Sequence, residues 1–410
     1  MGFVSPMAIL QEAWLIGNIR FFISAAEHSG DSLGQALIES LRRKFPNAQF
    51  VGVGGPKMAA AGCRLLADPT RNAAMLLGAL RQVGYWLRLL KQIRREFVNN
   101  RPDVVIPIDS PTVNVRIGLM ARRMKLPVCY YVAPQHWAWA PWRTRKLSRA
   151  VNTLCCVLPF EEPYFRQQRI DAVYVGHPLF DRLADQPTAA ATASPLPQAK
   201  LKVAILPGSR SSEVASNLPV MLEVASQLRG RVQECVFVAA AADKNRALQI
   251  QAHLMRSSER IEIRTHATDA VIAWADLVLV CSGTATLQVA SHYKPMIVLY
   301  ALSRWKWNLV GRFLIRTKYM SLVNILADRE LVPEFMPFYG STRPVVQRVV
   351  ELLKNPQQRM EISSQLSQLV SPMERFSRQM PAGDRVAVEV ARLLEPKLQP
   401  PSQPVSPSRG

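Results

Sequence analysis

The sequence predicts an α/β protein of two doubly wound parallel sheets facing a cleft, and three observations carry that reading. Short, nearly continuous apolar runs alternate with helical stretches from Arg20 onward. A Pro-, Ala- and Thr-rich stretch, DQPTAAATASPLPQAK (185–200), then interrupts the pattern. A second alternating series follows it. Runs that are apolar throughout, rather than at every second residue, suit strands covered by helices on both faces. Regular strand–helix alternation is how such sheets are written in sequence.

In chain order, residues 1–19 read as an N-terminal extension, an extended or misassigned start. The stretch is mildly apolar, but Gln11 and Glu12 interrupt it and no basic segment precedes it, which fits neither a signal peptide nor a spanning helix. A first domain is expected over 20–184, with strands FFISAA (21–26), FVGVGG (50–55), VVIPID (104–109), VCYYVAP (128–134), TLCCVLP (153–159) and VYVGHP (173–178). Helices SLGQALIESLRRKF (32–45) and VRIGLMARRM (115–124) lie between them. The stretch 185–200 carries no apolar period and reads as a linker. A second domain over 201–395 contains LKVAILPGS, ECVFVAA, IEIRTH, DLVLVCSG and PMIVLYA as strands, and its last helices are candidates to pack back on the first domain. Residues 396–410 are too rich in Pro and Ser to fold and read as a disordered tail.

At 410 residues and 49% apolar composition the chain has material for two cores. The formal charge of +21 favours an anionic partner: a nucleic acid, a phosphorylated metabolite or an acidic membrane surface. A generally basic surface is the plainer alternative. The six cysteines form no CxxC pair and no zinc-like Cys/His cluster, and several sit inside apolar runs. They read as reduced, buried thiols of a cytoplasmic protein, with no metal expected.

Ligands of open parallel sheets sit beyond the carboxyl ends of the strands, and three loops there carry candidate chemistry. In AILPGSRSSEV (204–214) a strand runs into a Gly-Ser-Arg turn and a helix beginning near Ser212. Ser209 and helix N–H groups are potential donors to phosphate oxygens, and Arg210 supplies a permanently charged fork; an ordinary turn with a surface arginine remains the alternative. In LVLVCSGTATLQ (277–288), Ser282, Gly283 and Thr284 offer further donors or else cap a helix. AAEHSGDSLG (25–34) has too few glycines for a dinucleotide fingerprint, and its Ser29 and Asp31 are also candidate helix caps. Asp109 ends an apolar strand, where a carboxylate suits a general base or an N-cap.

The spaced motifs AEHSGDSLGQALIESL, FVGVGGPKMAAAGC, RPDVVIPIDSPTVNVR, YYVAPQHWAW, LPFEEPYF, VGHPL, LPGSRSSEV, SGTATLQVA and YMSLVNILADRELVPEF resemble those of the lipid-A-disaccharide synthase family, in that family's order, over residues 20–340. The resemblance implies a GT-B-type fold of two Rossmann-like domains and an inverting transfer of diacylglucosamine from UDP to a diacylglucosamine 1-phosphate. It implies Asp109 as the base, with no metal or other cofactor. It implies UDP-sugar contacts at Ser209, Arg210, Ser282, Gly283, Thr284, Gln288, Asn324, Arg329 and Glu330. It implies acceptor contacts at Glu27, Ser29, Gly30, Asp31, Arg143 and His177. The chain departs from the family pattern where Gln288 stands for a usual Glu, Thr112 for a common Asp, and Ala26 and His28 in the first loop. Ala133, Gln135, His136 and Ala140 depart in the WAW stretch, whereas Arg143 and Lys146 match basic positions.

Two basic–aromatic stretches suit an anionic membrane surface, 81–97 with Trp86, Leu87, Leu90 and Ile93, and 304–318 with Trp305, Trp307, Phe313 and Leu314. A core-facing helix with a solvated basic side is the alternative for each. The expected partners are therefore a UDP-sugar, an acylated sugar phosphate and the inner face of the cytoplasmic membrane. A relative using another UDP-sugar or acceptor, a UDP-sugar epimerase and a weakly active nucleotide-sugar binder stay open. A nucleic-acid-binding protein has only the charge in its favour, since no known module is present.

Overall fold

The computed structural model describes residues 18–72, 79–185, 195–257, 259–301 and 317–398. The extension up to residue 17, most of the linker, the basic–aromatic stretch up to residue 316 and the tail from residue 399 lie outside these residues. The chain divides into two compact units, Met1–Trp137 with Pro141–Pro178 and Ser377–Gly410, and Ala138–Ala140 with Leu179–Phe376.

The first unit is built on β1 (Arg20–Ala25), β2 (Gln49–Val53), β3 (Arg64–Ala67), β4 (Val104–Ile108), β5 (Cys129–Tyr131), β6 (Thr153–Cys156) and β7 (Ala172–Tyr174). These form one parallel sheet in the order β3-β2-β1-β4-β5-β6-β7. The chain steps outward from β1 to β3, then returns to lay β4 on the other side of β1. Connections therefore leave β1 and β4 in opposite directions, which opens a crevice at their carboxyl ends. Register brings Ala25 opposite Ile108 there. Every residue of β4 is buried, as expected of a strand covered on both faces.

The helix His28–Lys44 buries Leu37, Ile38 and Leu41 along one stripe. It packs against the C-terminal helix Ala382–Leu398, where Arg43 pairs with Asp384 at 2.6 Å. The end of the chain thus completes the core of the first unit. The helix Ala79–Asn99 presents Leu89, Ile93 and Phe97 to the sheet, with Phe97 edge-on to Phe22 at 4.8 Å. This corrects the apolar cluster expected over 81–97: Ile93 is a core residue, and the residues turned outward are Val83 and Leu87. Their i, i+4 spacing puts them on a different face from 89, 93 and 97.

The second unit repeats the plan with β8 (Leu201–Leu206), β9 (Cys235–Ala241), β10 (Glu262–Thr265), β11 (Leu277–Cys281), β12 (Met296–Ala301) and β13 (Glu334–Phe338). Its parallel order is β10-β9-β8-β11-β12-β13, so the reversal falls between β8 and β11. Two strands were not expected, β3 and β13. Both are edge strands, short and only partly buried, and β13 contains Pro337, which an edge tolerates.

Candidate functional site

In the first unit, the crevice between β1 and β4 is where Asp109 stands. Asp109 and Ser110 both adopt left-handed backbone conformations, with φ of 49° and 45°. Each such non-glycine residue costs roughly 1–2 kcal/mol and persists only where the surroundings impose it. Here they do. The Asp109 carbonyl accepts from the Tyr130 hydroxyl at 2.6 Å and from Asn114 Nδ2 at 2.8 Å, while its N–H donates to the Tyr131 carbonyl at 2.9 Å. Asn114 is fully buried and donates also to the carbonyls of Ile108 (2.7 Å) and Ser24 (3.2 Å), while its Oδ1 accepts from Ser24 Oγ at 2.8 Å. One amide thus ties the ends of β1 and β4. Burial, and then the charge of Asp109, hold the Tyr130 phenol well above its usual pKa, so it stays a donor. The N-cap of the following helix, Pro111–Arg123, is Ser110 rather than Asp109.

After β1, Glu27 is the N-cap of the helix His28–Lys44, whose first turn supplies His28 and Ser29; all three are exposed, with Gly30 buried against Ala25. Asp31 departs from its expected part in ligand contact. It lies in the first turn of its own helix, only 2% exposed. Its carboxylate accepts the N–H groups of Gly55 (2.8 Å), Lys57 (3.0 Å) and Met58 (3.0 Å), capping the short helix after β2. Any side chain at residue 55 would collide with that carboxylate, since a Cβ there lies 2.6 Å from Asp31 Oδ2.

Beyond β5, the WAW loop is pinned from below. Trp137 Nε1 donates to Glu161 at 3.0 Å, and the same carboxyl accepts the N–H groups of Val157 and Leu158. Burial pushes the Glu161 carboxyl up to about 7 despite these donors. Burial and then the nearby Arg143 charge push the His136 imidazole down to about 4. Arg143 itself is exposed, in the one-turn helix Pro141–Arg143. His177, in the loop after β7, is pushed down to about 4 by burial. Both imidazoles are therefore neutral at neutral pH. Thr112 is exposed, one turn beyond Asp109.

In the second unit, both phosphate-type loops follow the two strands that flank the reversal. Pro207–Arg210 follows β8 and leads into the helix Ser211–Arg229, so Arg210 is the N-cap. The Ser209 and Arg210 N–H groups are occupied. They donate to Glu213 Oε2 at 3.0 and 3.1 Å, and Arg210 Nη1 reaches Glu213 Oε1 at 3.2 Å. Glu213 therefore holds the position expected for an external anion. Gly208 has φ of 127°, and a Cβ there would lie 2.5 Å from that of Glu213. Ser282–Gly283 follow β11, and the helix Thr284–Ser291 begins with Gly283 at φ 135°, exposed and with open space around its Cα. Asn217, buried, joins the ends of three strands: it donates to the Pro207 carbonyl (3.2 Å) and Cys281 Sγ (3.1 Å) and accepts the Ala301 N–H (2.7 Å). Tyr300 lies close to this loop pair, its phenol raised by burial and by the neighbouring Cys281 and Glu213. Glu213, Asn217 and Tyr300 were not singled out from the sequence. Only Glu213 had a signal, its position three residues after an N-cap.

Gln288 donates to Asp269 Oδ1 at 2.8 Å. The same carboxylate takes His292 Nε2 at 3.0 Å and lies 3.9 Å from Arg182. Burial opposes ionisation of Asp269, but the bonds from His292 and Gln288 outweigh it and hold its pKa below the usual range. The carboxylate near residue 288 is thus supplied from another helix, Thr268–Trp274. Asn324 also departs from its expected part in ligand contact. Its amide donates to the Val332 carbonyl and Glu334 and accepts the N–H groups of Leu331 and Val332, all within 2.8–3.0 Å. No donor or acceptor is left for a ligand; it fixes the loop carrying Arg329 and Glu330. Both of those are exposed, and Arg329 reaches Gln365 at 3.2 Å. Among the described residues, no group of His, Cys, Asp or Glu is assembled to hold a metal ion. No described helix is long and apolar enough to cross a membrane.

A family model described as lipid-A-disaccharide synthetase matches residues 21–385. The lipid-A-disaccharide synthase of Chromobacterium violaceum is 32% identical over 92% of this chain and 98% of its own length. That of Cellvibrio japonicus is 34% identical over 93% and 98%. Among solved structures, a UDP-N-acetylglucosamine 2-epimerase aligns with a TM-score of 0.56 at 14% identity, over 95% of this chain and 98% of that one. The Staphylococcus aureus MnaA–UDP structure aligns at 0.59 and 13%, over 94% and 99%. The glycotransferase of kitacinnamycin aligns at 0.58 and 14%, over 92% and 99%. Glycosyltransferases and epimerases thus share this two-sheet fold, the GT-B arrangement.

Proposed function

The chain belongs to the lipid-A-disaccharide synthetase family, and we propose that it joins two acylated glucosamines, transferring diacylglucosamine from UDP to a diacylglucosamine 1-phosphate. The first unit carries the acceptor half of the chemistry and the second the donor half. Asp109 takes the proton of the acceptor hydroxymethyl group as its oxygen bonds to the anomeric carbon. The bond from that carbon to the diphosphate oxygen breaks, its electron pair leaves with UDP, and the configuration inverts. The observation that carries this reading is Asp109 itself, held by Tyr130 and Asn114 in a strained conformation at a sheet reversal. Strain maintained at such a point is best explained by the need to aim a side chain.

On the donor side, the departing diphosphate is met by Arg210, by the Ser209 and Arg210 N–H groups, and by the donors opening the helix at Thr284. The similar structure solved with UDP supports a nucleotide of that kind. Glu213 is the resident anion that UDP displaces. Once displaced, it leaves Arg210 already directed at the site. Asp269 and Gln288 together replace one carboxylate in receiving the ribose hydroxyls. No metal ion is required by this arrangement of fixed positive charge. Membrane contact is made through the outward face of the helix Ala79–Asn99, where Val83 and Leu87 are flanked by exposed Arg88 and Lys91, on the cytoplasmic side of the inner membrane.

The test is incubation with UDP-diacylglucosamine and diacylglucosamine 1-phosphate, scored for UDP and disaccharide in equal amounts. UDP released without disaccharide, or a donor isomerised at the sugar, would exclude the transfer.

A further inference from the structure

The segment Val132–Trp137 leaves β5 beside Asp109, and both of its ends are held. At its start the Asp109 N–H donates to the Tyr131 carbonyl at 2.9 Å and the Val132 N–H to the Cys155 carbonyl at 3.1 Å. Val132 has φ of 67°, a left-handed conformation that a β-branched residue adopts only where its surroundings impose it. The His136 N–H then closes a tight turn on the Pro134 carbonyl at 2.6 Å, and Ala133, Pro134, His136 and Trp137 are all buried. At its end Trp137 is held on two sides. Phe160 packs at right angles to the indole, 4.8 Å between ring centres, and Glu161, the first residue of the helix Glu161–Gln167, accepts from Nε1 at 3.0 Å.

Glu161 is 1% exposed and has no cation partner among the described residues. Its two oxygens divide the work: Oε2 accepts the Val157 and Leu158 N–H groups at 3.1 and 3.0 Å, and Oε1 accepts the indole. A glutamine satisfies the two backbone donors equally well, but its amide nitrogen then faces the indole N–H, donor against donor. Only the ionised carboxylate accepts from all three. Burial raises its pKa to about 7, so ionising it makes folding less favourable as pH rises from about 4.5 towards 7. A buried carboxylate that works against stability points to a part played by its ionised form. We infer that Glu161 is a positioning residue for the acceptor: through the Trp137 indole, its carboxylate holds the segment Val132–Trp137 in the shape that receives the acceptor beside Asp109. This rests on the proposed transfer, which puts the acceptor on the first unit. A proton on Glu161 falls on Oε1, which has the fewer bonds, and sets an O–H against the indole N–H. The segment is therefore released as pH falls through about 7. His136, beside Trp137, is pushed down to about 4 by burial and the Arg143 charge, and the Cys156 thiol of β6 is raised by burial and by the charges of Glu161 and Glu162. Neither the imidazole nor the thiol changes charge near neutrality. Glu162 and Arg166, on the same helix as Glu161, pair with each other at 3.0 Å.

The experiment compares the full chain as wild type, Glu161→Gln and Trp137→Phe. Acceptor KM is measured on detergent-dispersed substrate at about pH 6 and about pH 8, and the indole N–H resonances are recorded over the same range. In the wild type the ionised form falls from about nine-tenths to about one-tenth of the molecules between those values, so acceptor KM rises roughly tenfold. Glu161→Gln and Trp137→Phe are expected to show the higher KM at both, with kcat and the donor KM within about twofold of the wild type. A step that the variants retain is that of the acceptor phosphate, whose second proton leaves near about pH 6; an equal step in all three proteins overturns the inference. Where Glu161→Gln does not fold, Trp137→Phe decides by the same comparison. The Trp137 resonance, identified by its absence from Trp137→Phe, is expected to move with a midpoint near about pH 7 in the wild type and to keep its acid position in Glu161→Gln. A Trp137 resonance that does not titrate overturns the inference even where transfer occurs. A titrating resonance in a chain without transferase activity sustains the hold of Glu161 on Trp137 and overturns the proposed function.

Discussion

Two buried asparagines organise the two candidate half-sites. Asn114 joins β1 to β4 behind Asp109, and Asn217 joins β8, β11 and β12 behind Arg210. Each occupies the interior of the helix that follows a strand at the reversal, so its amide replaces ladder bonds lost where neighbouring strands end. Changing Asn217 to Ala is expected to weaken UDP binding about tenfold and destabilise the protein by roughly 2–3 kcal/mol, since it orphans the buried Pro207 carbonyl and the part-buried Ala301 N–H; calorimetric titration and urea unfolding report the two effects. Asp31→Ala leaves three N–H groups unbonded and should cost about 3 kcal/mol, with activity per folded molecule retained. Loss of UDP or acceptor affinity in folded Asp31→Ala would return it to the ligand site. The position of Asp109 at the carboxyl end of β4 was legible from sequence, whereas its part as a base came from the resemblance of the motifs around it. The roles of Asp31 and Asn324 were not, because their partners lie 24 or more residues away or depend on how a loop folds back.

At the scale of elements, the central strands were readable because burial on both faces writes an unbroken apolar run. The edges β3 and β13 lacked that pressure: each is short and only partly buried, β3 opens on the exposed Arg64, and β13 is broken by Pro337. The helix Ala79–Asn99 shows the same limit: its two apolar faces were visible as residues, but which one meets the sheet is decided by Phe22. The loops after β5 and β7 carry two imidazoles that burial keeps neutral. A folded pKa of about 4 against an ordinary 6.5 means the unfolded chain binds the proton more tightly. Stability is therefore unaffected above about pH 7 and is lost as pH falls towards about 4, by up to ~3 kcal/mol for His177. A His177→Gln variant should show a shallower acid branch in urea midpoints. Identical pH dependence of the two proteins would contradict an imidazole held neutral in the fold.

Across the whole molecule, the two units have the same plan, a parallel sheet whose chain direction reverses once, with the candidate chemistry at each reversal. The alternation of apolar runs made this plan legible, and the order of motifs made the family legible. Completion of the first unit by the last helix was only an open option in the sequence, because nothing in Ala382–Leu398 itself names the helix His28–Lys44 as its partner. Deleting residues after Phe376 should uncover β4, β5 and the face of the helix His28–Lys44 that carries Ala36 and Ser40, giving strong binding of an apolar dye and loss of the first unit's cooperative melt. A deletion variant that melts like the full chain would show that the last helix is dispensable. The central claim concerns Asp109, and it is tested most directly by measuring disaccharide formation and UDP affinity together for Asp109→Ala. Turnover reduced by about 10²–10⁴-fold with UDP affinity within twofold of the wild type is the predicted result. Undiminished turnover, or a loss of activity explained by weakened UDP binding, would contradict it.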